Sequence, residues 1–371
     1  MRRPIQTSEN RNVKTLRLKV DPAQLDSQEA KSAIAQAAQI LRAGGLVALP
    51  TETVYGLGAN ALDAEAVTRI FTAKQRPSWD PIIVHIAGPV EGNSMLEQLV
   101  VNAPSTAEAL MRSFWPGPLT LLLPRSSAVP DVVTAGRALV GIRMPAHPVA
   151  FELIRHAGIP IAAPSANVFG HISPTTAEHV LEDLDGKIDA VLDAGPTQHG
   201  VESTVLDPNQ NPMMIYRPGA VTAPQIARVV AGPVKTIKES ILPDAAPRQA
   251  LPSPGVGLRH YAPRACLILV EGALSELAAR LSAAAQPHER ERLGVMLPAE
   301  LANTDLGAPL RAAANYAWGR WTVPYELAET LYAGLRALDA QGCDVILCPM
   351  PEPGGINDAI RDRLRKAAYS I

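Results

Sequence analysis

A proline-rich interruption divides this chain. "PVKTIKESILPDAAPRQALPSPGVGLRHYAP", residues 233–263, carries six prolines and no sustained helix or strand period, which predicts an extended linker. On both sides short apolar runs alternate with amphipathic ones. A chain of 371 residues also exceeds one comfortable core. The spacing therefore predicts an N-terminal arm and first strand over 1–27, an α/β domain over 28–232, the linker over 233–264, and a smaller α/β domain over 265–371.

Within the first domain, Ile34, Ala37, Ala38 and Leu41 recur at helical spacing, and Gly44-Gly45 supplies the stop. Asp63 reads as the N-cap of "AEAVTRIFTAK", whose Val67, Ile70 and Phe71 share one face. "LVALPT", "PIIVHI", "LTLLLP", "LVGIRMP", "IPIAAPSAN", "AVLDAG", "STVLD" and "MMIYRPG" read as short strands. Several lack an intervening helix, so the sheet should be mixed and twisted. After the linker, "CLILVEG", "RLGVMLP" and "DVILCPM" alternate with helical stretches ending in "INDAIRDRLRKAAYS".

Composition bears mainly on partners. Apolar residues make up 47% and charged residues 19%, with a net charge of −2, which is globular and argues against a dedicated nucleic-acid binder. A basic start, six Lys/Arg against one acid in the first nineteen residues, keeps an RNA-binding module acting on tRNA or ribosomes as the alternative. Cys266, Cys343 and Cys348 form no CxxC pair, so reduced thiols and a cytoplasmic protein without a zinc site are expected. No apolar run reaches membrane-spanning length, and the basic start lacks the apolar segment of a secretory leader.

The chemistry gathers in a few loops. "LVALPTETVYGLGANALD" holds Gly56, Gly58 and Ala61 in the G-x-G-x-x-A spacing. "TETVY" separates them from the strand, and the next strand closes on His85 rather than an acid, which disfavours a dinucleotide site. Read alone, the stretch is a glycine-relaxed turn. "KQRPSWDPIIVH" places Lys74 and Arg76 at a helix end, as phosphate ligands or as solvated cations on the helix dipole. "IAAPSANVFGHISPTT" offers Ser165, Asn167, Ser173 and Thr175, where capping by Thr175 or Thr176 explains only part of the pattern. Ser203, Thr204 and Arg217 sit at strand ends. A G-x-S-x-G elbow, a Cys/His setting and an H-E-x-x-H cluster are missing. These residues suit positioning and electrostatic stabilisation, as adenylyl or phosphoryl transfer with a metal–nucleotide complex requires.

In order, "PTETVYGLGANA", "KQRPSWDPIIVH", "WPGPLT", "VGIRMPAHP", "APSANVFGHISPT", "GVESTV" and "YRPGA" resemble the YrdC-like family. With "SPGVGLRHYAPRA" and the trailing domain, the chain is similar to the long, two-domain threonylcarbamoyl-AMP synthases from about Ser27 onward. The resemblance implies a twisted sheet with a cationic concave face and a Rossmann-like second domain. It implies condensation of L-threonine, bicarbonate and ATP to threonylcarbamoyl-AMP, with Mg2+ accompanying ATP and pyrophosphate leaving. The expected partners are a downstream threonylcarbamoyl transferase complex and a weak tRNA contact, with no membrane.

Carried over by motif, Thr53, His85, Arg143, Ala163 and Ser203 would bind threonine, with Tyr55 shaping the pocket. Lys74, Arg76, Asp80, Leu139, Ser165, Asn167, Ser173 and Arg217 would serve ATP, and Tyr261 would fold back as part of a lid. Asp80 stands where many relatives have Asn, which favours a metal-linked or structural role. Phe169 stands where serine is frequent and is left unassigned.

Overall fold

The structure is a computed structural model describing residues 14–237, 253, 260–304, 306, 308–311 and 313–368. The arm expected over 1–13 and most of the lid expected within 233–264 lie outside the described residues.

Eleven strands form the first sheet. They are β1 (Leu16–Lys19), β2 (Val47–Leu49), β3 (Gly56–Asn60), β4 (Ile83–His85), β5 (Leu119–Pro124), β6 (Leu139–Arg143), β7 (Ile161–Ala162), β8 (Ala190–Asp193), β9 (Thr204–Asp207), β10 (Met213–Arg217) and β11 (Val234–Thr236). Their spatial order is β1-β8-β2-β3-β7-β4-β6-β5-β9-β10-β11. The sheet is mixed, with β4 parallel to β6 and β5 antiparallel to it. Central strands are apolar on both faces because helices or the second domain cover them.

Local chemistry sets the helix ends. Ser27 caps Gln28–Arg42 by accepting from the Ala30 N–H, and Gly44 follows at φ 79°. The buried face includes Ile34, Ala37, Ala38 and Leu41, packed with Val149, Leu153 and Ile154 of the helix Pro148–Ala157. Asp63 caps Ala64–Lys74 through the N–H groups of Glu65 and Ala66, and Val67, Ile70 and Phe71 are buried. Thr176 caps Ala177–Leu184 by accepting from the His179 N–H.

Two segments differ from the sequence reading. The glycines of the opening motif lie in β3, paired antiparallel to β2, and not in a turn. A Cβ at Gly58 would stand 2.8 Å from Leu49 Cδ2 and 2.9 Å from Ile161 Cγ2, so this glycine admits neighbouring strands rather than a phosphate. Val234–Thr236, at the start of the expected linker, pairs in parallel with β10 as an edge strand.

The second sheet comprises β12 (Cys266–Glu271), β13 (Leu293–Pro298), β14 (Ala314–Gly319) and β15 (Val345–Met350), all parallel in the order β12-β15-β13-β14. Leu277 and Leu281 of Leu274–Ala285 cover one face. Pro324–Ala340 and Asn357–Ala368 cover the other and share a core with Val54, Ile172, Val201, Ala220 and Tyr261. The two domains are thus packed through a common apolar cluster.

Candidate active site

Strand register brings the chemistry to one place. His85 on β4 pairs with Arg143 on β6, and His85 also pairs with Ile161 on β7, so Ala163 lies just beyond. Ser203 precedes β9, and Arg217 ends β10 opposite Val205. Gly56 bridges Ser165 across the floor. One cavity results, lined by Thr51, Thr53, Val54, Gly56, Arg76, Ile83, His85, Arg143, Ala163, Pro164, Ser165, Glu202, Ser203, Arg217, His260 and Tyr261.

Three arginines give this cavity its charge, and each is aimed by its neighbours. Arg143 donates from Nη1 to Thr53 Oγ1 at 2.9 Å, from Nε to the Gly117 carbonyl at 3.3 Å, and pairs with Glu52 Oε1 at 2.6 Å. Burial raises the Glu52 carboxyl, but the Arg143 charge overrides that and holds it below its usual range. The pair is ionised and the fork is fixed. Arg76 pairs with Asp80 at 2.9 Å and donates to the carbonyls of Asp80 and Pro81. Arg217 donates to the Ser203 carbonyl at 3.1 Å and Oγ at 3.0 Å, while Ser203 Oγ also lies 2.8 Å from Thr120 Oγ1.

His85 contributes no charge. Burial, then the neighbouring Arg143, hold its imidazole down to about 3, and its Nδ1 has no partner in the protein. His85 lines the cavity, and a buried polar atom without a protein partner is an open position for a ligand.

All five residues expected at the threonine site, Thr53, His85, Arg143, Ala163 and Ser203, line this cavity. So do Arg76, Ser165, Arg217 and Tyr261 of the residues expected at ATP. The other five do not line it. Lys74 is buried, and its Nζ donates to the carbonyls of Ser165 and Asn167, which ties the helix end to the serine loop. Burial, then the charge of Arg76, drive this amine well below its usual range. The amine is turned onto those two carbonyls rather than toward solvent. Asp80 sits behind Arg76, with burial raising its carboxyl against that cation. Asn167 donates to the Val168 and His171 carbonyls, and its Oδ1 is unpartnered. Ser173 donates to Glu202 at 2.6 Å. Leu139, at the other end of β6, packs with Ile83, Leu122, Val205 and Tyr216.

Four residues escape the sequence reading: Glu52, Glu202, Tyr332 and Arg363. Glu202 accepts from Ser173 Oγ, from Tyr332 OH at 3.0 Å and from Arg363 Nε at 2.7 Å. Burial pushes its carboxyl up, but Arg363 and Arg217 bring it down to about 2. For the two acids the available signal was a neighbouring hydroxyl residue, on both sides in "TET" and on one side in "VES". Among the described residues no group of three or more His, Cys, Asp or Glu is placed to hold a metal ion. No helix there is long and apolar enough to cross a membrane, and Cys266, Cys343 and Cys348 are free thiols.

Known proteins share this architecture. The Sua5/YciO/YrdC family, described as telomere recombination, matches residues 39–219, and the threonylcarbamoyl-AMP synthase C-terminal domain matches residues 221–369. A threonylcarbamoyl-AMP synthase of Pyrococcus abyssi is 43% identical over 90% of this chain and 93% of its own length. One of Bacillus subtilis is 45% identical over 90% and 92%. The crystal structure of P. abyssi Sua5 complexed with L-threonine superposes with a TM-score of 0.84 at 40% identity, covering 95% of this chain and 98% of that one. Likeness on this scale, spanning both domains and the linker between them, makes the chain a member of the two-domain threonylcarbamoyl-AMP synthase family.

Proposed function

We propose that this protein condenses L-threonine, bicarbonate and ATP to threonylcarbamoyl-AMP and pyrophosphate, the activated donor for modifying the adenosine beside the anticodon of tRNA. The observation that carries the reading is the convergence of Thr53, His85, Arg143, Ala163 and Ser203 with Arg76, Ser165 and Arg217 on one cavity. In class it is a nucleotidyltransferase.

The threonine carboxylate sits on the Arg143 fork, which Glu52 and Thr53 hold in place. Neutral His85 and the Ser203 hydroxyl hydrogen-bond the rest of the amino acid. The threonine nitrogen bonds to the bicarbonate carbon, with loss of water, giving a carbamate. A carbamate oxygen then bonds the α-phosphorus of ATP. The bond from that phosphorus to the α,β-bridging oxygen breaks, and pyrophosphate leaves with the electron pair. The nucleophile is built from substrates, so the protein supplies orientation and positive charge rather than an attacking side chain.

ATP enters as its magnesium complex. Glu52, Asp80 and Glu202 are each paired to an arginine, so a magnesium ion arriving with ATP would be held by the nucleotide. Tyr261 and His260 close the wall from the linker side, and shielding the labile carbamate from water is the purpose of that closure. The product passes to a threonylcarbamoyl transferase and its tRNA, in the cytoplasm.

Pyrophosphate release from ATP, measured with threonine, bicarbonate or ATP omitted in turn, tests the reading. All three should be required. Release without threonine contradicts the proposal, and no release at all favours the RNA-binding alternative.

A further inference from the structure

The wall of the cavity is braced from outside the first domain. Of the three donors to Glu202, only Ser173 belongs to that domain. Tyr332 comes from the helix Pro324–Ala340 and Arg363 from Asn357–Ala368, both in the second domain. Arg363 is 1% exposed, and its guanidinium stands 5.4 Å from the centre of the Tyr261 ring. Tyr261 in turn stacks on Tyr332 at 5.6 Å. One side chain therefore touches both the carboxylate and the aromatic ring that wall the cavity on this side.

We infer that Arg363 is a positioning residue of the reaction centre, supplied by the second domain, which fixes Glu202 and Tyr261 against the bound substrates. This rests on the synthase reading. Arg363 lines no part of the cavity, so it acts through those two residues.

Energetics favour this over a role in docking alone. Burying a guanidinium forfeits hydration that pairing must offset, and apolar side chains join domains without that cost. The shared core holds Val54, Ile172, Val201 and Ala220 with Leu327 and Leu331, and a second guanidinium, Arg336, pairs across the domains with Glu182 and Asp183. Arg363, unlike Arg336, pairs with a residue that lines the cavity.

Its electrostatic effect is specific. Asp362 pairs with both Arg363 and Lys366, and Glu202 takes Arg363 as its ionic partner. Arg217, on the cavity side, is then engaged with Ser203 rather than drawn onto Glu202. Without Arg363, the cation left acting on Glu202 among the described residues is Arg217. Pulling Arg217 onto it would remove a cation from the triphosphate and release the Ser203 hydroxyl. Tyr261, held at φ 64°, would lose the cation beside its ring.

The test uses the full chain and follows threonine-dependent pyrophosphate release together with the melting temperature. Arg363→Lys keeps a charge but loses the fork. We expect it to fold, with kcat at least tenfold lower and the KM for threonine within threefold. The charge-free pair Arg363→Met with Glu202→Gln should regain the melting temperature that Arg363→Met alone loses, without regaining kcat. Tyr332→Phe, the mildest cut in the same network, should lower kcat three- to tenfold whether or not the arginine variants fold. Wild-type kcat in Arg363→Lys or in Tyr332→Phe overturns the inference, as does recovery of kcat and melting temperature together in the charge-free pair. A wild-type protein without threonine-dependent release instead fails the synthase reading, which separates the two.

Discussion

A neutral histidine and a clamped arginine stand side by side where β4 and β6 are in register, His85 opposite Arg143. Burial, then the Arg143 charge, lower the His85 imidazole to about 3, against about 6.5 in an unfolded chain. The unfolded state therefore takes up this proton first. The stability tied to neutral His85 is complete above about pH 6.5 and is lost progressively toward pH 3, amounting to about 2–3 kcal/mol by pH 4.5. The melting temperature of His85→Asn should thus fall less between pH 7 and 4.5 than that of the wild type, whereas parallel curves would contradict the burial argument. At Arg143 the fork is the point. Arg143→Lys keeps the charge but loses bidentate geometry, so the KM for threonine should rise about 10–100-fold with that for ATP little changed, as expected for a charged hydrogen bond worth about 1.5–3 kcal/mol. Residue types announced this much in the sequence. They did not announce partners: Glu52 and Glu202 meet their arginines 91 and 161 residues away, and no local pattern encodes such a meeting.

At the scale of elements, periodicity and caps were legible because they are local. Asp63 and Thr176 cap the helices where the sequence predicts. Strand glycines were not, because their reason lies across the sheet. Gly58 is excluded from bearing a side chain by Leu49 and Ile161, not by its own dihedral angles. Gly58→Ala should overpack β3 and cost about 1–3 kcal/mol of unfolding free energy. Gly232→Ala, whose added carbon would meet nothing closer than 3.6 Å, is the control. Equal urea midpoints for the two would contradict the packing reading. The edge strand β11 and the strand β14 also escaped notice. Val234–Thr236 is only three residues long beside a proline run, and "ANYAWG" lacks an apolar alternation.

Across the whole molecule, the two α/β rhythms and the break between them foretold two sheets, and the described residues form two. What sequence could not show is that the domains share a core and that Tyr332 and Arg363 of the second donate to Glu202, which lines the cavity of the first. The proposed reaction requires an amino acid and a nucleotide to lie together in the cavity walled by Arg76, Arg143, Ser203 and Arg217. Crystals of the full chain grown with L-threonine and α,β-methylene ATP, which cannot lose pyrophosphate, test it most directly. The threonine carboxylate should rest on Arg143, with its nitrogen turned toward the α-phosphate in the same cavity. Threonine and nucleotide found in separate depressions, or Arg143 facing neither, would contradict it.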